Sequence, residues 1–100
     1  MWCANRLLIV GPARELKRFE RSNWDGKARA KFIDVLECSK SRLAFQFETT
    51  KAPTRYIKAA SLEWSKLTFL LDYEIEDWCI KGLAKARRGE LESCIVNYAS

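Results

Sequence analysis

A chain of 100 residues has room for one core and a surface site, but not for a cleft between two domains. Its 48% hydrophobic and 12% aromatic content excludes intrinsic disorder, and 31% charged residues with no long apolar run exclude a membrane span of about 20 residues. The formal charge is +5 and histidine is absent, which removes the usual general base, the usual proton switch and the commonest zinc ligand.

The first predicted element is the apolar run Leu7 to Val10, read as a central strand buried on both faces and stopped at Gly11. Pro12 suits the first position of a helix running to about Ser22, with Ala13, Leu16 and Phe19 on its inner face and basic residues outside. Residues 22–30 read as a loop, because Asn23, Asp25 and Gly26 supply turn chemistry. Two antiparallel strands, 32–38 and 42–50, follow around Ser39-Lys40-Ser41. Pro53-Thr54 opens a second helix to about Ser65, with Ile57, Ala60, Ser61 and Trp64 inward. Leu67, Phe69, Leu71, Tyr73 and Ile75 then alternate as a strand.

A closing hairpin, 78–87 and 90–98, turns at Arg88-Gly89 and sets Lys85 opposite Glu92 and Leu83 opposite Cys94. Ile80, Gly82, Ala84, Leu91 and Ile95 are its expected core side. The element order leads to an α+β fold: a ferredoxin-like βαββαβ sandwich over residues 1–100 with an additional C-terminal β-hairpin. Both helices are expected on one face of a mostly antiparallel sheet.

Trp2, Cys3, Asn5 and Leu7 stand in the order of an Asn-Trp-Cys-x-Asn-x-Leu opening; Gly11, Pro12, Glu15, Leu16 and Phe19 match the next segment. Phe47 to Pro53 echo a strand running into Thr-Ala-Trp-x-Pro-Pro, and Leu67, Thr68, Phe69, Leu71, Tyr73 and Glu74 match a later strand. In this the chain resembles the plasmid- and phage-borne proteins of unknown function with a YubB-type ferredoxin-like domain. The resemblance implies the fold and a mobile-element setting, and no activity. Lys51 stands where those proteins carry a tryptophan, and their Trp-Gly-Thr-Lys-Trp segment is reduced to Trp24-Asp25-Gly26-Lys27.

No nucleophile–base pair, phosphate loop or cofactor motif occurs, so no catalytic, cofactor or metal site is expected and the protein reads as non-enzymatic. The acidic run Asp72, Glu74, Glu76 and Asp77 reads as a solvated edge. Cys3, Cys38, Cys79 and Cys94 form no C-x-x-C pair, and Met1 to Arg6 precede too few apolar residues for a signal peptide, so a reducing cytoplasm is expected.

The favoured function is a protein-interaction or homodimerising module that uses the helix-free sheet face or an edge strand. Leu8, Val10 or Leu70 are partly exposed in that reading, and Trp2, Trp24 and Trp78 are candidate anchors. The alternative is nucleic-acid binding by the basic first helix and following loop, through Arg14, Lys17, Arg18, Arg21, Lys27, Arg29 and Lys31. Phe45 and Phe47 are assigned to the core rather than to a base-stacking face. Neither a membrane nor a small-molecule substrate is inferred.

Overall fold

The computed structural model describes residues 1–99. Strand β1 (Cys3–Val10) leads through Gly11-Pro12 into helix α1 (Ala13–Glu20), whose Glu15 in the first turn and Lys17 and Arg18 in the last complement the helix dipole. A five-residue helix α2 (Trp24–Ala28) follows, closed by Arg29 in the left-handed region at φ 57°. Strands β2 (Lys31–Cys38) and β3 (Arg42–Thr49) precede helix α3 (Thr54–Glu63). Strand β4 (Thr68–Ile75), a 3-10 turn over Glu76–Trp78, and strands β5 (Ile80–Arg87) and β6 (Glu90–Asn97) complete the described chain.

All six strands form one sheet in the order β2-β3-β1-β4-β5-β6, with every ladder antiparallel. This corrects the expected ferredoxin-like βαββαβ sandwich with two helices and an added hairpin. The strand count is six and the strand order runs without a break into the closing hairpin, because β4 and β5 pair along their whole length from Thr68↔Arg87 to Ile75↔Ile80. Among the described residues three α-helices are present in place of two. The additional one, α2, falls in the predicted loop 22–30: the turn-forming Asp25 and Gly26 are overridden by burial of Trp24 and Ala28.

The buried side of the sheet carries Leu7, Ile9, Leu43, Phe45, Phe47, Phe69, Leu71 and Tyr73, which join Leu16, Phe19, Trp24, Ile57 and Ala60 of the helices in a single core. Trp24 is its keystone, with its ring 4.4 Å from Phe45, 5.6 Å from Phe47 and 6.0 Å from Phe19, measured between centroids. Phe19 in turn meets Phe69 and Trp64 edge-on. The core assignment of Phe45 and Phe47 agrees with this packing.

Strand β1 is longer than the run Leu7 to Val10, and it is not closed on both faces: Leu7 and Ile9 are fully buried while Leu8 and Val10 are half-exposed on the side without helices. Its earlier half holds a buried polar chain. Asn5 donates through Nδ2 to the Cys3 carbonyl at 3.1 Å and to Thr49 Oγ1 at 2.9 Å, and Thr49 Oγ1 donates to the Lys51 carbonyl at 2.6 Å. Every buried partner is thereby satisfied, and the start of the β3–α3 connection is tied to β1.

Along the closing hairpin the predicted register holds, Lys85↔Glu92 and Leu83↔Cys94. Arg88 and Gly89 both have positive φ, 52° and 81°, as a two-residue hairpin turn requires. The expected core side is only partly realised. Gly82 and Ala84 are buried, whereas Ile95 is 61% exposed because α3 covers the turn end of the hairpin and not its far end. Gly82 lies under Tyr73, its partner on β4, and a Cβ there would run into the phenol ring.

Replacing Trp24 with alanine removes the ring that joins α1, α2 and β3 and is expected to cost about 3–5 kcal/mol, read as a lower urea midpoint with an unchanged slope. The thiols should divide by burial. Cys3 is fully buried, and desolvation pushes its pKa up to about 11, so a thiol reagent at neutral pH should modify exposed Cys38 and Cys94 in the native protein and reach Cys3 only after denaturation, as read by mass spectrometry.

Candidate functional site

The basic patch occupies the helix layer. Arg14, Lys17, Arg18 and Arg21 are exposed on or beside α1, Lys27 and Arg29 on or beside α2, and Lys31 opens β2. Two of these charges are engaged: Arg18 pairs with Glu15 at 3.1 Å and lies over the Trp64 ring, and Lys27 pairs with Glu63 of α3 at 3.5 Å. Lys31 belongs to a different surface, since it faces Glu48 across the β2–β3 ladder.

The three candidate anchors do not form one surface. Trp2 and Trp78 are exposed at the same end of the sheet, with Trp2 edge-on to Phe32. Trp24 is 5% exposed and belongs to the core, which corrects its reading as an anchor. Asp72, Glu74, Glu76 and Asp77 hold no metal geometry; among the described residues no group of three or more His, Cys, Asp or Glu is placed to bind an ion. Instead Glu74 accepts a 2.7 Å hydrogen bond from the Tyr98 hydroxyl, which pushes the Tyr98 pKa up to about 12.

The helix-free sheet face carries two adjoining shallow apolar hollows that meet at Leu83 and Cys94, one lined by Leu8 and Leu70 with Arg6, Lys85 and Glu92, the other by Val96 with Lys81, and both by Asp72. Its exposure of Leu8, Val10 and Leu70 is partial, and the larger exposures, 62% at Leu83 and 56% at Val96, lie toward β6. The face and the free edge of β6 are therefore continuous.

The two edge strands differ in kind. Strand β2 exposes Phe32, Ile33, Val35 and Leu36, but its ladder slips at two places and Phe32 sits at φ 54°. Such bulges twist an edge away from pairing. Strand β6 has no slip over eight residues and no proline. Arg87 and Glu90 flank the two-residue turn and so exchange the first pair of hydrogen bonds. The alternation continues to the bond from Tyr98 N to the Cys79 carbonyl at 2.8 Å, so Leu91, Ser93, Ile95 and Asn97 direct their N–H and C=O groups outward.

Opposite the open face, a cleft of about 570 Å³ lies between α2, the β3–α3 connection and α3. Phe19 and Trp24 form its floor, Tyr56 and Trp64 its half-buried walls, and Lys27, Arg29, Lys51 and Arg55 its rim. Burial lifts the Tyr56 phenol well above its usual pKa, so it remains a neutral donor at physiological pH. The basic patch expected from the sequence omits Lys51, in the connection after β3, and Arg55, in the first turn of α3; each is an isolated cation in the sequence until α2 folds against that connection.

No helix of the described residues is long and apolar enough to cross a membrane. Comparison of the chain with family models, curated proteins and solved structures gives no match.

Proposed function

We propose that the protein is a non-enzymatic binding module that pairs with a second copy of itself through the free edge of β6. The observation that carries this reading is the contrast between the bulged edge at β2 and the straight, unguarded edge at β6. A strand added at β6 satisfies the outward backbone groups of Leu91, Ser93, Ile95 and Asn97, and covers Ile95, Val96 and Leu83 on the two faces.

The strand's own sequence fits an antiparallel copy of itself. With the two-fold axis at Cys94, Ser93 faces Ile95 of the second copy, Glu92 faces Val96 and Glu90 faces Tyr98, so no carboxylate neighbours a carboxylate across the seam. Shifting the axis to Ser93 brings the two Glu92 side chains to diagonal contact, which like charges oppose. Centred on Cys94, Leu83 and Cys94 of both copies line up as one apolar row, with Lys85 beside Glu92 within each copy. Both ends of β6 are already braced: Gly89 N donates to Ser61 Oγ at 3.0 Å, and Tyr98 reaches across to Glu74. The ordering cost of pairing is lowered accordingly.

The setting we infer is a reducing cytoplasm, in which Cys94 stays a thiol, and the motif order shared with YubB-type proteins supports a place among mobile-element accessory proteins.

Ser93→Pro is the discriminating change, because it deletes an outward N–H and leaves the β5 ladder intact. Light scattering should show a dimer for the parent chain and a monomer for Ser93→Pro of unchanged thermal stability. Mild oxidation should link the parent through Cys94 alone, since facing Cys94 residues in that register occupy a pair without mutual hydrogen bonds, where Cα atoms approach to about 4.5 Å. A monomeric parent at high concentration, or crosslinking through Cys38, overturns the proposal.

A further inference from the structure

The helix-side cleft is separate from the β6 edge and is not needed for self-association. It combines two features that the rest of the surface keeps apart. One is aromatic: Trp24 and Phe19 below, Tyr56 and Trp64 at the sides. The other is charge. Arg29, Lys51 and Arg55 stand on its rim with no carboxylate within ion-pair distance among the described residues, and the only acidic side chain lining it, Glu63, is already paired with Lys27. Asp25 and Glu63 both act on Tyr56, yet Arg29, Lys51 and Arg55 outnumber them and leave the rim net basic beside an aromatic wall, in a volume within the usual range of about 300–1,000 Å³ for ligand sites.

Neither feature alone selects a ligand. Solvated cations occur on many small basic proteins, and aromatic side chains in a cleft are commonly core. Their convergence selects a ligand that is planar at one end and anionic at the other. The rim is also fixed in place: the Lys51 carbonyl is held by the buried Thr49–Asn5 chain, and Arg29 occupies a left-handed position that closes α2. Both cations thus project from backbone that needs no ordering when a ligand arrives.

We propose that this cleft binds a nucleoside phosphate, either free or as a residue of a single-stranded nucleic acid, with the base against Tyr56 and Trp64 and the phosphate among Arg29, Lys51 and Arg55. Base stacking on aromatic side chains tolerates any base, and guanidinium groups meet phosphate oxygens in pairs. The assignment differs from a general basic face on α1. Arg14, Lys17 and Arg21 lie outside the cleft and contribute only a long-range field.

The experiment is titration of the full chain at low salt with four probes: adenosine monophosphate, adenosine, inorganic phosphate and a short single-stranded oligonucleotide. The monophosphate should bind at least tenfold more tightly than adenosine or phosphate. An oligonucleotide that binds more tightly still identifies a nucleic-acid strand as the source, and equal affinity identifies the free nucleotide. Lys51→Glu/Arg55→Glu should weaken binding at least tenfold, whereas Lys17→Glu/Arg21→Glu, the same charge change on α1, should alter it less than threefold. On the unmodified chain, amide and indole shifts should concentrate on residues 49–56 and on Trp24 and Trp64. Absence of binding by both nucleotide probes, equal loss in the two reversed variants, or shifts centred on α1 overturns the proposal.

Discussion

The packing of Trp24 against Phe45, at a tilt, and edge-on to Phe47 is the contact from which the helix layer takes its shape. A five-residue helix closes too few hydrogen bonds to persist in water, since nucleation alone fixes several dihedrals for one bond. What holds α2 is the indole, which buries against two sheet rings and against Phe19 of α1. With α2 in place, Lys27 reaches Glu63 of α3, Arg29 is presented at its end, and the space between α2 and α3 becomes a cleft rather than open surface. Loss of that one ring would release the segment from 22 to 30, along with the two cations it carries.

A second constraint is numerical. Three helices, of eight, five and ten residues, cannot cover a six-stranded sheet. Coverage is spent on the middle strands, where Leu7, Ile9, Phe69 and Leu71 are almost wholly buried, and it thins toward both edges. The edges meet this shortage in different ways. Strand β2 takes two slips in register and a positive φ at Phe32, features that cost backbone strain and make pairing unfavourable. Strand β6 takes none, and the protein instead spends a buried hydroxyl, Ser61, and a phenol, Tyr98, on holding it straight.

Local patterns in the sequence were readable wherever one physical rule dominated. The alternation of Phe45 and Phe47, the inner face of α1 at Leu16 and Phe19 though not at exposed Ala13, and the hairpin register about Arg88-Gly89 each follow from a single periodicity or turn rule. Legibility failed where two rules competed. Asp25 and Gly26 favour a turn, but the burial of Trp24 lies in tertiary structure and prevails. The apolar run marks the strand only from Leu7, yet it begins at Cys3, where the amide of Asn5 is satisfied inside the core by Thr49. The overall architecture failed for a related reason: a hairpin at the end of a chain has the same local pattern whether it stands apart or extends a sheet. Only the pairing of β4 with β5 decides between them. The cleft was hidden because Lys27 and Arg29 are distant in sequence from Lys51 and Arg55, and only the packing of α2 beside the β3–α3 connection joins them.

Helix α3 links the two surfaces. One side of it presents Tyr56 and Glu63 to the cleft; another holds Ser61, whose hydroxyl donates to Lys58 and accepts from Gly89 at the hairpin turn. Ser61 is fully buried, so its hydroxyl cannot trade Gly89 for water without cost, and the hairpin and α3 therefore keep one relative position. A rigid link of this kind transmits position, not affinity. Coupling between sites needs an element with two arrangements, and α3 is fastened on both sides in one. In the proposed pairing through β6, two clefts would stand at a fixed spacing and act independently. For a ligand long enough to reach both, that spacing raises the effective concentration at the second cleft without any change in either site.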